Sequence, residues 1–125
     1  MEEVSTESAP EALGPYSQGI IDGDTVYVSG QGPVDPEADR VTAETITGET
    51  EQTLENVAAI LEAAGASLDD IVSVNVYMTD MDNYDEINDV YAEYMSEPYP
   101  ARAAVEVAKL PSDIAVEIEA TATLS

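Results

Sequence analysis

The chain lacks cysteine, histidine, tryptophan and phenylalanine, and sets only 3 Lys+Arg against 27 Asp+Glu. Without cysteine there can be no disulfide and no thiol nucleophile; without histidine there is no imidazole base, and zinc loses its usual ligands. Neither a cofactor nor a metal is therefore expected, and any chemistry must fall to carboxylates, hydroxyls, tyrosines, backbone groups or an arginine. The formal net charge of -24 makes nucleic acid a poor partner, since phosphate binding needs clustered cations. No apolar run approaches the length of a membrane span, and the start Met1-Glu2-Glu3 has no basic segment leading into an apolar one. These absences predict a cytoplasmic protein with no membrane partner.

What is present is an ordinary globular composition. With 125 residues and 44% hydrophobic residues, the chain is expected to form a single domain over 1–125 with a normal core. The acids are spread along the whole length rather than gathered in a tail, a pattern like that of proteins from salt-accumulating halophiles. Such a surface repels itself at low ionic strength and is screened by salt. Two motifs fail on inspection. Gly30-Gln31-Gly32 is followed by Pro33 and cannot open a dinucleotide-binding helix. Asp80-Met81-Asp82-Asn83-Tyr84-Asp85 has no glycine in the required place for a calcium loop, and Tyr91 stands where a bidentate Glu is needed. An acid-rich helix start, favoured by the helix dipole, explains that segment better.

Among the three cations, Arg40 and Lys109 lie in turn-rich surroundings, whereas Arg102 opens an apolar alternation directly after Pro98-Tyr99-Pro100. A guanidinium kept there in so acidic a chain points to a small carboxylate, which its planar fork binds through two hydrogen bonds. The alternative is an ion pair with one of the many acids.

Hydrophobic spacing supplies the architecture. Alternation over Tyr16–Ile21 and Thr25–Gln31, joined at Asp22-Gly23-Asp24, predicts a hairpin. Gly32-Pro33 and Asp35-Pro36 mark a long turn. Leu54, Val57, Ala58, Leu61 and Ala64 follow helical spacing over 47–64, stopped by Gly65. Ile71–Thr79 alternates as a strand, Asp82 is placed to cap a helix reaching Met95, and strands near Arg102–Ala108 and Ala115–Leu124 close the chain. The order β-β-α-β-α-β-β predicts an α/β (α+β) sandwich, a mixed sheet with two helices on one face.

Strand parity then assigns Val26, Val28, Val72, Val74, Val76, Met78, Val105, Val107, Val116 and Ile118 to the helix-covered face. The other face receives Tyr27, Ser29, Gln31, Ser73, Asn75, Tyr77, Arg102, Glu106, Glu117 and Glu119. A polar but tyrosine-bearing face left open by the helices predicts self-association. Tyr84, Tyr91 and Tyr94 form a helical stripe read as core.

Several blocks fit one family at its spacing: Gly14-Pro15-Tyr16-Ser17-Gln18-Gly19, Val28-Ser29-Gly30-Gln31-Gly32-Pro33, Gln52-x-x-x-Asn56, Glu62-Ala63-Ala64-Gly65, Pro100-Ala101-Arg102-x-x-Val105-Glu106-Val107-x-x-Leu110-Pro111 and Val116-Glu117-Ile118-Glu119-Ala120. Together they resemble the RidA (YjgF-type) family over nearly the whole chain. The resemblance implies a chorismate-mutase-like fold and a homotrimer with active sites between subunits. It also implies hydrolysis of 2-aminoacrylate, 2-iminopropanoate and 2-iminobutanoate to 2-keto acids and ammonia.

Carried onto this chain, the resemblance makes Arg102 the carboxylate-binding arginine and Glu117 the residue that orients water. Tyr16, Ser29 and Asn88 match substrate-pocket positions. Many relatives carry a small hydroxyl residue and then Cys after the arginine, where this chain has Ala103 and Ala104, so position 104 can offer only backbone. Two other functions attach to the resemblance: non-catalytic binding of a small 2-keto or amino acid, and a ribonuclease or translation-inhibitor activity that the acidic surface opposes.

Overall fold

The computed structural model describes residues 1–125, and its strands run where side chains alternate. A hairpin pairs β2 (Gly19–Asp22) with β3 (Thr25–Gln31), and the N-terminal β1 (Glu2–Val4) adds to β2. Two-residue strands β4 (Val34–Asp35) and β5 (Arg40–Val41) form a separate ribbon within the expected long turn. Then follow α1 (Ile46–Ala63), β6 (Ile71–Met78), α2 (Tyr84–Tyr94), β7 (Ala101–Glu106) and β8 (Val116–Thr123). The main sheet has the order β1-β2-β3-β8-β6-β7. Only β6 and β7 are parallel, because a crossover through α2 joins them. The seven larger elements match the predicted order. The three short strands were not foreseen, since two or three residues carry no readable period.

Local chemistry sets the helix ends. Thr45 caps α1 by accepting the Gly48 N–H at 3.0 Å, and Gly65 follows its end at φ 86, a left-handed position that glycine tolerates. Asp82 does not cap α2. Asp80 accepts the Asp82 N–H at 2.9 Å and starts a short 3-10 turn over Met81–Asn83, from which α2 begins. The acids of this segment thus act as turn formers.

Both helices lie on one face of the sheet. Leu54, Val57, Ile60 and Leu61 of α1 and Ile87, Val90 and Tyr91 of α2 pack on Val26, Val28, Val74, Val76, Met78, Val116 and Ile118. Two buried amides tie loops to this core. Asn56 donates to Gly32 O at 3.0 Å and to Val34 O at 2.9 Å. Gln18 accepts from Thr6 N at 2.7 Å and donates to Thr6 O, Ala9 O and Pro10 O. No helix is long and apolar enough to cross a membrane.

Register corrects several face assignments. Val74 pairs with Arg102, and Tyr77 pairs with both Val105 and Glu117. Paired residues point to the same side, so Arg102, Ala104 and Glu106 share the helix face, while Val105 lies on the open face and is 44% exposed. Val107 lies beyond β7 and is not part of the buried core. A register shift in β6 leaves Val72 47% exposed and buries Ile71 instead. A second shift, between Val28 and Gln31, sets Ser29 and Gly30 opposite the single residue Glu119 and turns Gln31 inward.

Candidate active site

Arg102 extends from β7 towards α2, and its charge is held by aromatic groups. Its Cζ lies 4.7 Å from the centroid of the Tyr91 ring and 5.7 Å from that of Tyr84. Its Nη2 donates to Tyr84 Oη at 3.2 Å, so its hydrogen bond goes to a phenol and not to one of the many carboxylates. That arrangement uses one of five guanidinium N–H groups and leaves a fork for an incoming anion. Asn88, Tyr91, Ala92, Tyr99, Pro100 and Arg102 line a cleft of about 270 Å³ between α2 and the start of β7. Asn88, expected as a pocket residue, is therefore brought together with Arg102.

The tyrosines define this cleft electrostatically. The phenol of Tyr84 is held below its ordinary range, chiefly by the Asn88 amide and then by the Arg102 charge. Burial pushes the Tyr91 phenol up, partly offset by Arg102, and its hydroxyl has no protein partner. Tyr94 lies outside the site: burial and then Glu55 push its phenol up to about 12. The expectation that the three tyrosines are core residues holds for packing, since Tyr91 is buried in the core and Tyr84 and Tyr94 pack against it, but it misses the contacts of Tyr84 and Tyr91 with Arg102. The spacing of Tyr84, Asn88 and Tyr91 at i, i+4 and i+7 was the available signal, because it puts all three on one helix face. Ala104, two residues along β7, shares a neighbouring cavity with Met81, Asp82, Tyr84 and Asp85.

Glu117 is elsewhere. It stands on the open face of the sheet, half-buried beside Glu119, and burial, followed by the Glu119 charge, raises its pKa above the ordinary carboxylate value. Glu119 accepts from Asn75 Nδ2 at 2.9 Å and from Tyr77 Oη at 2.6 Å, whereas no such donor satisfies Glu117. Gly30 makes room for it. A Cβ at that position would fall 2.8 Å from Glu117 Oε2 and 2.9 Å from its Cδ. The bulge in β3 thus sets a glycine against the glutamate side chain, which any larger residue there would displace.

Ser29 lies in the same bulge, but its hydroxyl donates to the Ser17 carbonyl and its N–H to Gln18 O at 2.9 Å, so both its donors are committed within the fold. Tyr16 is 53% exposed and borders a different cavity, formed largely by residues 3–12. The chain therefore brings Arg102, Asn88 and Ala104 to the helix side of the sheet. It leaves Glu117, Ser29 and Tyr16 away from them. The expectation that Arg102 and Glu117 share a face is overturned by the β6–β7 register.

The family model described as "Endoribonuclease L-PSP" matches residues 6–124. A RutC family protein of Pyrococcus horikoshii is 50% identical over 121 residues, covering 97% of this chain and 96% of the relative. A 2-iminobutanoate/2-iminopropanoate deaminase of Salmonella typhimurium is 46% identical over 122 residues, covering 95% and 94%. The crystal structure of RidA from an Antarctic Psychrobacter superposes with a TM-score of 0.96 at 46% identity, covering 99% of this chain and 100% of that one. That of Escherichia coli TdcF with bound serine does so with a TM-score of 0.95 at 40% identity, covering 100% of both. A match of this extent, in sequence and in fold, establishes that the chain belongs to the RidA (YjgF-type) family.

Proposed function

We propose that this protein hydrolyses small 2-imino acids and their enamine tautomers to 2-keto acids and ammonia, at sites completed between copies of the chain in a homotrimer. The observation that carries this reading is Arg102 itself, a charged fork stacked on tyrosine and free of carboxylate partners in a chain of net charge -24. Such a group is matched to a carboxylate ligand. The imine deaminase name of the Salmonella relative and the serine bound in TdcF support a small amino-acid-like substrate.

In the proposed reaction Arg102 holds the substrate carboxylate and fixes the C=N carbon. Water adds to that carbon while Glu117 takes one of its protons. That proton passes to the imine nitrogen, giving a neutral carbinolamine; as its C–N bond breaks, the hydroxyl proton is carried to nitrogen through the same carboxylate, so that ammonia leaves and the keto group forms. A carboxylate whose pKa is raised by burial is a stronger base than an ordinary one, which suits this step. Because Arg102 and Glu117 lie on opposite faces of one sheet, the two can meet only if a second chain supplies the glutamate. Asn88 is placed to orient the substrate, and the backbone at Ala104 to hold it. Tyr16 and Ser29 would contribute from the glutamate-bearing chain, Ser29 as an acceptor or through the backbone.

The test is a coupled assay in which a serine or threonine dehydratase generates the imine and 2-keto acid release is timed, in high salt. Arg102→Ala is expected to lower the enzyme-dependent rate at least 100-fold, with Arg102→Lys recovering little, because a point charge lacks the fork. Glu117→Gln should lower turnover while 2-keto acid binding persists. Near-normal rates in Arg102→Ala would sink the reading, and a wild-type protein that binds 2-keto acids without turnover would favour the non-catalytic alternative.

A further inference from the structure

We propose that Tyr84 is a positioning residue for Arg102, holding the guanidinium in its carboxylate-binding pose while protonated and withdrawing it from the substrate when ionised. The proposal rests on the reading above only in taking Arg102 as the carboxylate binder. It starts from geometry: Tyr84 Oη accepts from Nη2 at 3.2 Å, while the Tyr91 ring supports the cation at 4.7 Å. An arginine side chain loses considerable freedom when it binds a ligand, and a residue that fixes it beforehand removes part of that cost. Tyr91 limits the guanidinium to a plane, and the Tyr84 oxygen adds the in-plane direction.

The same contact makes the phenol sensitive to alkali. Two charged groups act on it, Arg102 from β7 and Asp85 from its own helix, and Asp82 of the preceding turn lines the same cavity. The Asn88 amide and the Arg102 charge favour the phenolate and outweigh Asp85. A neutral phenol leaves Arg102 its full charge. A phenolate pairs with it and competes with any incoming carboxylate.

The experiment measures binding of 2-oxobutanoate by calorimetry from pH 7 to pH 10 in high salt, for the wild type, Tyr84→Phe, Arg102→Ala and the double variant. At pH 7, Tyr84→Phe is expected to bind about 3- to 10-fold more weakly, as loss of a hydrogen bond to a charged group would give. Towards pH 10 the wild type should lose affinity more steeply than Tyr84→Phe, so that the two curves converge or cross. The phenylalanine variant controls for the rising negative charge of the other tyrosines, and a purely structural role for Tyr84 would shift both curves in parallel. Parallel curves, or wild-type affinity flat to pH 10, overturn the role of Tyr84 while leaving Arg102 as the binder. Unchanged binding by Arg102→Ala, or no binding by the wild type, overturns that role and the proposed function together.

Discussion

Glu117 has an energetic consequence beyond its proposed part in the reaction. Its pKa in the fold lies above the ordinary value of 4.5, first through burial and then through Glu119. The folded chain therefore binds this proton more tightly than the unfolded chain does, and linkage makes stability fall as pH rises through the interval between the two values. Below 4.5 the penalty is absent; above the raised value it is complete. Glu117→Gln should consequently melt higher than the wild type at pH 7, with the gap closing as pH approaches 4.5, while its turnover falls. Paired thermal melts across that range, alongside the coupled assay, would check this. A variant less stable than the wild type at pH 7 would mean that the carboxylate makes a favourable contact instead. A residue that costs stability and supports turnover fits a functional site better than a structural one.

At the scale of elements, what holds the candidate site together is the set of ties between loops and helices. Asn56 is the clearest, because its buried amide holds Gly32 O and Val34 O just beyond the bulge that accommodates Glu117. Asn56→Ala would strip both carbonyls of a donor and is expected to cost roughly 2–4 kcal/mol. Denaturant melts would register it, and a midpoint within error of the wild type would refute the role. Elements of this size were largely legible in the sequence: α1 and α2 from helical spacing, β3, β6 and β8 from alternation. The face of β7 was not, because alternation says which residues share a side but not which side the helices cover. Val105 and Val107 looked like core, yet the parallel register with β6 turns Arg102 inward instead. Bulges defeated parity in the same way at Val72 and Gln31. The meeting of Arg102 and Asn88 in one cleft was reachable through the family resemblance, whereas the contacts of Arg102 with Tyr84 and Tyr91 depend on the α2 crossover and had no signal beyond spacing along the helix.

For the whole molecule the decisive quantity is charge. The open sheet face carries Tyr27, Tyr77 and Val105 beside Glu117 and Glu119, a surface on which apolar contact and like-charge repulsion compete. Three copies of a chain at -24 would total -72, so assembly through any face must work against a strong field. Salt decides the balance, since the screening length is about 10 Å at 0.1 M and about 3 Å at 1 M. The proposed homotrimer is therefore expected to hold in molar salt and to dissociate or unfold on dilution into low salt. Imine hydrolysis should disappear over the same range, because a separated chain keeps Arg102 on one side of its sheet and Glu117 on the other. Sedimentation and light scattering across a salt series, paired with the coupled assay on the same samples, would test both parts. A monomer that retains full activity would refute the shared site, and a trimer indifferent to salt would refute the role assigned to the acidic surface. Activity that tracked salt without any change in mass would place the effect inside the chain, most directly in screening of the approach of an anionic substrate to Arg102.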